Sequence, residues 1–572
     1  MYILGIGGSQ HDYSYCLLKD NNVLTAIEEE RVSREKHGAG LRSQLLNGIQ
    51  YCLSSNNLSI DDVDIIVSNN QWGMAAFSEK KFYQKIIRVN HHMAHAAAAY
   101  YGSGFRDSAI LVVDGAGDHY NDGQSNTVSI GQATNNQITM VQTMWGIERL
   151  YEDYLGTRAK KYAYLTKEFA AKSHMDKLTL TDNSFGDFYS LITYMCGFNL
   201  LEEGKTMGLA PYGKPKYADL LSQHIIVKSR GNKIDIKIDI LKIYHCLIKI
   251  IEDNKKEYQS DILKVKADIA SSGQFILEEC LIKIMNHLYD LTGLPNLCYG
   301  GGVALNSVLN GTIKKRTKFK EVNIYPAAGD SGLAYGAAIY AYYLYHSKAS
   351  LCFKTHHSFL GQNYSNREIE KTLSTYNSYI TWNYYDERDI YDKAAQYLAE
   401  NKIVGWFTGG AEFGPRALGH RSILTSPIPA DMQYKLNKRV KFRESFRPFA
   451  PAVLREEVHQ YFETDFEDNP FMLFVAKVKP EYTDKLAAIT HVDETARVQT
   501  VDYKYNGKFY NLIKAFKKIT EIPVLLNTSF NIKSMPIVET PEDAIKSFLQ
   551  ADIDYLFIEN YLIKKCNTIN NY

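Results

Sequence analysis

The sequence predicts a mixed α/β protein of two domains, and three observations favour this class. The chain has 572 residues, which is more than one hydrophobic core usually organises. Apolar, strand-like runs in the first 345 residues repeatedly end in loops of glycine and aspartate, as in open α/β sheets that bind ligands at strand ends. The periodicity then breaks near residues 350–360. We therefore predict domains over residues 1–352 and 358–566.

The N-terminal domain is predicted to begin with two strands, over residues 2–6 and 13–18, separated by a glycine turn. Three later strands end in loops that contain Asp114, Gly300 to Gly302, and Asp330. A helix is predicted directly after the last of these loops, over residues 333–345. Between about 142 and 290 the pattern is longer and helical, including residues 262–289, with a polar insertion near 228–239. In the C-terminal domain, helices and strands alternate again from residue 366.

The composition is that of an ordinary globular protein. Hydrophobic residues make up 45% and charged residues 23% of the chain, and the formal net charge is +1. This charge offers no long-range field for nucleic acid or anionic lipid, so anions must be held by local sites. The eight cysteines are scattered without a Cys-x-x-Cys pair, which argues against a zinc ribbon or a disulfide framework. No charge-free apolar run reaches the roughly 18 residues of a membrane span, and we predict a cytoplasmic protein.

Two histidines and two aspartates form a candidate metal site. His91 and His95 are four residues apart, which places both imidazoles on one face of a helix. Core or capping histidines are the commoner explanation of an isolated pair. Asp114 and Asp330 favour the metal site, because each ends an apolar strand where an unpaired carboxylate would be costly to bury. Nitrogen and oxygen ligands without thiolate suit iron(II), manganese or zinc.

Cationic residues are concentrated beside glycine and proline in the second domain. Arg416 lies in the segment Phe-Gly-Pro-Arg-Ala-Leu-Gly, and Lys441 and Arg447 lie in Lys-Phe-Arg-Glu-Ser-Phe-Arg-Pro-Phe. Arginine offers a planar donor fork and lysine a point charge, so these side chains are suited to polyphosphate. A solvated basic face usually accounts for such runs, but the interleaved Gly, Pro and Phe favour a binding site here. Further donors at strand ends are Arg497, Asn527 and Ser529.

The order of the motifs identifies a family resemblance. The motifs lie at residues 11–12, 29–37, 91–96, 113–118, 203–213, 300–306, 328–332, 413–419, 441–451, 491–500 and 526–531. These motifs span nearly the whole chain. So many motifs in one order are highly specific for a single family. The chain resembles the NodU/CmcH-type O-carbamoyltransferases. The resemblance implies an N-terminal domain similar to the tRNA threonylcarbamoyl transferases, within the actin and sugar-kinase superfamily, and a C-terminal domain similar to YrdC.

The resemblance also implies a reaction in two steps. The C-terminal domain would convert carbamoyl phosphate and magnesium ATP to carbamoyladenylate, and the N-terminal domain would transfer the carbamoyl group to a hydroxyl or amine of a small acceptor. The family positions that hold the first reactants are Arg416, Lys441, Arg447, Arg497, Asn527 and Ser529, of which Arg416, Lys441 and Ser529 are predicted to be catalytic. Residues predicted to bind the adenylate in the N-terminal domain are Lys205, Gly300, Gly301, Gly302 and Asn306. An iron-type metal on His91, His95, Asp114 and Asp330 would polarise the carbamoyl oxygen.

His11, beside Asp12 at the first strand end, is the candidate general base, because unperturbed imidazole titrates nearest neutral pH. A turn histidine that caps the loop is an equally weighted explanation, and Lys205 has a simple alternative as a surface lysine. The sequence does not name the acceptor. Aromatic residues that could stack on a sugar or a guanidinium are Trp145, Tyr151, Tyr154, Tyr162 and Tyr164, although core packing is the commoner role.

Two other functions share parts of this pattern. A sugar-kinase-type ATP phosphotransferase would use the same phosphate loops, but it would not need the second set of Arg and Lys residues. A tRNA-modifying protein of the threonylcarbamoyl-transferase type is disfavoured by the near-zero net charge and the lack of a basic stripe. The predicted partners are therefore ATP, carbamoyl phosphate and a small acceptor, and a homodimer is left open.

Overall fold

The computed structural model describes residues 1–9, 11–38, 42–69, 86–118, 123–155 and 177–566. The strands of the N-terminal part are β1 (Tyr2–Gly7), β2 (Ser14–Lys19), β3 (Asn22–Glu28), β4 (Ile65–Ser68), β5 (Ile86–Arg88), β6 (Asp107–Val113), β7 (Gln124–Thr134), β8 (Gln137–Glu152), β9 (Lys177–Thr181), β10 (Ile225–Arg230), β11 (Lys233–Ile238), β12 (Asn296–Gly300) and β13 (Glu321–Ile324). Its helices are α1 (Glu29–Ser33), α2 (Arg42–Ser54), α3 (His91–Tyr101), α4 (Phe185–Met195), α5 (Glu203–Leu209), α6 (Ala218–Ser222), α7 (Ile240–Asp253), α8 (Lys255–Ser260), α9 (Val265–Thr292), α10 (Ser307–Asn310), α11 (Ile313–Arg316) and α12 (Leu333–Tyr345).

Two mixed sheets of the N-terminal part repeat one strand topology. The first sheet has the order β3-β2-β1-β4-β5, and the second has the order β13-β12-β6-β7-β8-β9. In the first sheet, β2 is antiparallel to both β1 and β3, whereas β1, β4 and β5 are parallel. In the second sheet, β7 is antiparallel to β6 and β8, whereas β6, β12 and β13 are parallel. This duplicated order is what the resemblance to the actin and sugar-kinase superfamily leads us to expect.

Helices α3 and α12 pack between these two sheets and hold the ends of the sheets' strands in place. Both helices are rich in buried alanine, which lets them approach each other and strand β1 closely. The N-terminal ends of both helices lie beside the carboxyl end of β6, because His91 at the start of α3 contacts both Asp114, which follows β6, and Asp330, which precedes α12. The opposite face of the first sheet is covered by α2, and the outer face of the second sheet packs against α4, α7 and α9.

The C-terminal part is a second mixed α/β unit with its own core. Its strands are β14 (Ile380–Tyr384), β15 (Val404–Phe407), β16 (Arg421–Thr425), β17 (Ala450–Leu454), β18 (Phe462–Glu463), β19 (Val475–Val478), β20 (Thr495–Arg497), β21 (Gln499–Val501), β22 (Val524–Ser529), β23 (Tyr555–Ile558) and β24 (Tyr561–Lys565). Its helices are α13 (Asn366–Thr375), α14 (Glu387–Ala399), α15 (Met432–Leu436), α16 (Val458–Tyr461), α17 (Gly507–Thr520) and α18 (Pro541–Gln550). An eight-stranded sheet has the order β14-β24-β23-β15-β16-β22-β17-β21, and β18-β19-β20 form a small sheet beside it.

Several predicted elements agree closely with the structure. The helix predicted over residues 333–345 is α12, and the strands predicted over 2–6 and 13–18 are β1 and β2 within one or two residues. Within the described ranges, no helix or strand lies between Tyr345 and Asn366, the stretch where we place the boundary. The bounds 352 and 358 stay a prediction. No helix among the described residues is long and apolar enough to cross a bilayer.

The helical prediction for residues 142–290 is wrong in part. The stretch begins inside β8, a strand of 16 residues, and the polar insertion is the hairpin of β10 and β11. Buried Met144 and Gly146 alternate with exposed Trp145 and Ile147, so the period of the pattern is two, as in a strand with one solvated face. Helix α9 is present but is shifted by three residues from the predicted 262–289.

Candidate functional site

The four predicted metal ligands converge at one point. Nε2 of His91 lies 2.9 Å from Oδ2 of Asp114 and 3.5 Å from Oδ1 of Asp330. Nε2 of His95 lies 3.1 Å from Nε2 of His91 and 3.2 Å from Oδ2 of Asp114. One ligand atom of each residue lies within 4.8 Å of the other three. We call these four residues the His/Asp cluster.

The ends of three elements create the His/Asp cluster. The two histidines lie on the first turns of α3, which is capped by Asn90, whose side chain accepts a hydrogen bond from the Met93 backbone N–H. Asp114 follows β6, and its Oδ1 accepts a hydrogen bond from the Gly302 backbone N–H at 3.1 Å. Asp330 lies directly before α12. Asp118 accepts a hydrogen bond from the His91 backbone N–H at 2.9 Å, so it supports the start of α3.

The donor atoms of the His/Asp cluster fit a single divalent cation. Ligands held about 2.1 Å from one ion stand roughly 3.0–3.4 Å apart, and the distances from the two histidine Nε2 atoms to the carboxylate oxygens, from 2.9 to 3.7 Å, lie close to that range. Burial opposes the charge on these groups, yet the hydrogen bonds and charges of the two histidines hold the pKa of Asp114 well below its usual range. The cluster offers two imidazole nitrogens that face each other and two carboxylates. One cation could be bound by all four groups at once. Iron, manganese and zinc all suit it.

His11 and Asp12 lie in the turn between β1 and β2 and form part of a second cluster. Nδ1 of His11 lies 3.0 Å from Oδ2 of Asp12, and Nδ1 of His37 lies 3.0 Å from Oδ1 of the same carboxylate. Burial is the largest single influence and opposes the charge on His11, but the hydrogen bond to Asp12 and the charges of Asp12, Asp330 and Asp114 together raise its pKa to about 9. Asp12 therefore orients two imidazoles at once. His37 was not among the predicted site residues, although it ends the motif at residues 29–37.

Five cationic side chains line one wall of the site. This cationic wall consists of Arg416, Lys441, Arg443, Arg447 and Arg497. Arg416 lies between β15 and β16, Arg497 ends β20, and the other three lie between α15 and β17. Arg443 is an addition to the predicted set, and its place two residues after Lys441 in the same motif was the available signal.

The cationic wall has few counter-charges in the protein. Arg416 and Arg497 make no hydrogen bond or ion pair with any residue that the structure describes, and the Nε atom of each is buried. Arg447 has only Glu444 as an acidic partner there, at 3.8 Å. Burial, together with the charge of Arg447, lowers the pKa of Arg416 to about 10, and burial with the charge of Arg416 holds the pKa of Arg497 well below its usual range. An anion would relieve this excess of positive charge.

Lys441 is bound by the end of β22. Its ammonium group donates hydrogen bonds to Oγ of Ser529 at 3.2 Å, to the Ser529 carbonyl, and to Oδ1 of Asn531 at 2.8 Å. Asn527 is also in β22, and its amide donates to Gln499 and Ala417. The structure therefore brings the predicted residues Lys441, Asn527 and Ser529 together with the arginines.

One cavity of about 1490 Å³ joins the two predicted centres. His11, Asp12, Asp114 and Asp330 line it together with the whole cationic wall. The N-terminal and C-terminal parts both contribute lining residues. A molecule made at the cationic wall could therefore move within this cavity to the His/Asp cluster.

The residues predicted to bind the adenylate differ in whether they line the cavity and in whether their side chains are free to bind a ligand. Lys205 lines the cavity, where it forms ion pairs with Glu202 at 2.9 Å and Glu444 at 3.0 Å. The Asn306 amide is hydrogen bonded to Gln274 and to the Leu309 backbone, so its side chain is already used within the fold. Gly302 lines the cavity and supports Asp114, whereas Gly300 and Gly301 are not among the residues that line it.

The aromatic residues considered for acceptor stacking do not line the cavity where they are described. Tyr151 is packed in the core, and Trp145 and Tyr154 are exposed. Tyr162 and Tyr164 lie outside the described residues. Core packing is therefore the role of Tyr151.

Comparison with known proteins establishes the class of this chain. The family model described as "Carbamoyltransferase N-terminus" matches residues 2–78 and 73–339, and the model "Carbamoyltransferase C-terminus" matches residues 395–565. These two matches cover most of the chain. The chain therefore belongs to the carbamoyltransferase family, and it is an enzyme of that class.

Relatives align with nearly the whole chain. The uncharacterized protein sll1178 of Synechocystis sp. is 34% identical over 99% of this chain and 97% of its own length. The nodulation protein NolNO of Sinorhizobium fredii is 33% identical over 97% of this chain and 79% of its own length. Among solved structures, full-length HypF in a phosphate- and nucleotide-bound form is 14% identical, with a TM-score of 0.41 over 61% of this chain and 47% of that one.

Proposed function

We propose that this carbamoyltransferase makes carbamoyladenylate from carbamoyl phosphate and magnesium ATP at the cationic wall, and that it transfers the carbamoyl group to a small acceptor at the His/Asp cluster. The observation that carries the proposal is that one cavity is lined both by the cationic wall and by the two carboxylates of the His/Asp cluster, Asp114 and Asp330. Membership of the carbamoyltransferase family supports the transferred group. The acceptor is a hydroxyl or amine of a small molecule such as a sugar, an antibiotic or another natural product.

The first half-reaction uses the cationic wall. Water cleaves carbamoyl phosphate to carbamate and phosphate, and a carbamate oxygen then attacks the α-phosphorus of ATP. The bond from that phosphorus to the β-phosphate bridge breaks, pyrophosphate leaves, and carbamoyladenylate remains. Arg416 and Arg497 have donors that no described residue occupies and that they can offer to these phosphates, and Lys441 adds a positive charge beside Ser529. The cavity also limits the exposure of unstable carbamate to water.

The second half-reaction places the acceptor beside His11. His11 takes the proton from the acceptor hydroxyl or amine, the acceptor attacks the carbamoyl carbon, and AMP leaves with the electron pair of the broken C–O bond. Asp12 orients His11 and stabilises its protonated form. A divalent cation held by His91, His95, Asp114 and Asp330 would supply a Lewis acid for the carbamoyl oxygen.

The products of ATP distinguish this function from a sugar-kinase-type reaction. We expect AMP and pyrophosphate, and we expect pyrophosphate release to require carbamoyl phosphate. A phosphotransferase would instead release ADP with no need for carbamoyl phosphate. Chromatographic separation of the nucleotides after incubation with and without carbamoyl phosphate measures the difference. Formation of ADP alone would refute the proposal.

A further inference from the structure

We propose that the ion pair of Glu28 and Arg31, which belongs to the N-terminal part, is a positioning element for Arg416 in the cationic wall. This inference rests on the proposed function, because it assigns the pair to the adenylate-forming half-reaction. Neither residue lies in the C-terminal part, where the arginines of the wall are found. The anion site is therefore complete only when the two parts of the chain are joined.

The pair holds both backbone groups of Gly414. The Gly414 backbone N–H donates a hydrogen bond to Oε1 of Glu28, and its carbonyl oxygen accepts one from the Arg31 guanidinium at 2.6 Å. Arg31 Nε lies 3.0 Å from Oε2 of Glu28, so the two side chains act as one unit. The peptide groups on both sides of Gly414 are fixed in this way. Gly414 has a φ of +123°, which favours glycine and gives the loop its direction.

The next part of the loop is anchored from within the C-terminal part. The buried carboxylate of Glu412 accepts hydrogen bonds from the backbone N–H groups of Leu418 at 2.7 Å and His420 at 2.8 Å. Arg416 therefore lies between two anchored points, Gly414 and Leu418. Its own side chain has no hydrogen-bond or ion-pair partner in the described part of the chain. The direction of its guanidinium thus depends on the backbone that Glu28 and Arg31 hold.

The ion pair of Glu28 and Arg31 is buried, so its charges need partners within the protein. Arg31 is 2% exposed and Glu28 is 6% exposed, so each charge depends on the other and on Gly414 for compensation, and Arg31 also on the carboxylates of Glu412 and Glu539. Burial is the largest influence on the Glu28 carboxyl and raises its pKa to about 7, although Arg31 opposes the shift. A neighbouring residue supplies a matched comparison. Arg34 also reaches the C-terminal part, where it donates to the carbonyls of Ile537 at 2.6 Å and Pro536 at 3.0 Å, but it makes no hydrogen bond or ion pair with the Gly414 loop in the described part of the chain.

The test is a double-mutant cycle on the full chain without acceptor. Pyrophosphate release from ATP and carbamoyl phosphate is measured for the wild type, Arg31→Gln, Arg416→Gln and the double variant, with Arg34→Gln as the control. We expect Arg31→Gln to lower kcat at least about tenfold through loss of a charge-assisted contact to the loop. We expect Arg34→Gln to stay within about threefold. In the Arg416→Gln background, Arg31→Gln should add almost no further loss, since both changes remove the same interaction.

If Arg31→Gln releases pyrophosphate as fast as the wild type does, the inference is overturned. A loss that simply adds to that of Arg416→Gln would also overturn it, because a merely structural role predicts independent effects. If Arg31→Gln does not fold, as judged by thermal unfolding, the same cycle is run with Arg31→Lys, which keeps a charge beside Glu28 and loses the planar contact to Gly414. If the wild type itself releases no pyrophosphate, the proposed function fails, and the inference fails with it.

Discussion

Asp12 influences the protonation state of His11, the proposed base. A base acts in its neutral form, so carbamoyl transfer should become faster as the pH rises through the pKa of His11. Against burial, Asp12 and, to a smaller extent, Asp330 and Asp114 raise that pKa to about 9, and a cation bound by the last two carboxylates should bring it lower. Asp12→Asn should therefore shift the midpoint of the pH profile to lower pH and reduce the plateau. Single-turnover transfer measured across pH tests this, and an unchanged midpoint would contradict the role of Asp12.

The His/Asp cluster offers an internal comparison between two neighbouring histidines. His95 belongs to the cluster, whereas His92 faces away, with its Nδ1 2.8 Å from Oγ of Ser129. Burial lowers the pKa of His92 to about 3, as befits a neutral core side chain. We expect His95→Ala to lose the bound metal and at least about 100-fold in carbamoyl transfer, a few kcal/mol of Lewis-acid stabilisation.

His92→Gln is the control for that loss. It should keep the metal, because it leaves the four ligand atoms in place. Metal content by elemental analysis and transfer rate are measured for both variants. Equal metal content in His95→Ala and the wild type would remove His95 from the site.

Substitutions of two arginines in the C-terminal part are predicted to differ in their effect on the free energy of unfolding. Arg497 has no partner in the described part of the chain, so Arg497→Met removes a costly unpaired charge and should not lower the free energy of unfolding. Pyrophosphate release should still fall at least about tenfold. Urea unfolding and pyrophosphate assays measure the two effects separately.

Arg421 provides the contrasting case. Its guanidinium donates to the carbonyls of Thr408 and Gly409, each at 2.9 Å, and it is fully buried. Arg421→Met should therefore destabilise the protein by about 3–5 kcal/mol. If Arg497→Met were as destabilising as Arg421→Met, Arg497 would be a structural residue.

The loop after β12 illustrates what one element contributes to the site. Gly301 has a φ of +91°, and a Cβ there would lie 2.2 Å from the Val113 carbonyl oxygen. Gly301→Ala should displace the Gly302 N–H that holds Asp114 and so reduce metal content. Gly293→Ala is the control, since Gly293 also has a positive φ, of +66°, but no atom within 4 Å of its Cβ position. It should cost about 1 kcal/mol and leave the metal in place. Equal metal loss in both would contradict this role.

Elements with a strong local signal were predictable from sequence. Helix α12 follows a glycine loop and is apolar throughout, so its bounds are clear. The placement of His91, Asp114 and Asp330 at strand and helix ends also follows from the Gly/Asp loops. Strand β8 was missed in part, because its exposed Trp145 and Ile147 obscure the alternation of one buried and one solvated face.

At the scale of the whole molecule, the interface between the two parts could not be predicted. The hydrogen bond of Arg31 to Gly414 and the ion pair of Lys205 with Glu444 join residues that are hundreds of positions apart in the chain. Phe446 similarly packs into the N-terminal core, with its ring 5.9 Å from that of Phe198. Such contacts depend on how two folded parts meet, and local periodicity carries no information about that. The interface brings the cationic wall and the His/Asp cluster to one cavity.

The most direct test of this arrangement separates the two half-reactions by rapid quenching. Metal-loaded wild type, Asp330→Asn and Lys441→Met are mixed with ATP, labelled carbamoyl phosphate and an acceptor, and carbamoyladenylate is quantified by mass spectrometry. We expect Asp330→Asn to release pyrophosphate and accumulate carbamoyladenylate, and Lys441→Met to form neither. Absence of carbamoyladenylate in Asp330→Asn, with carbamoylated acceptor still produced by Lys441→Met, would contradict the division of labour within the cavity.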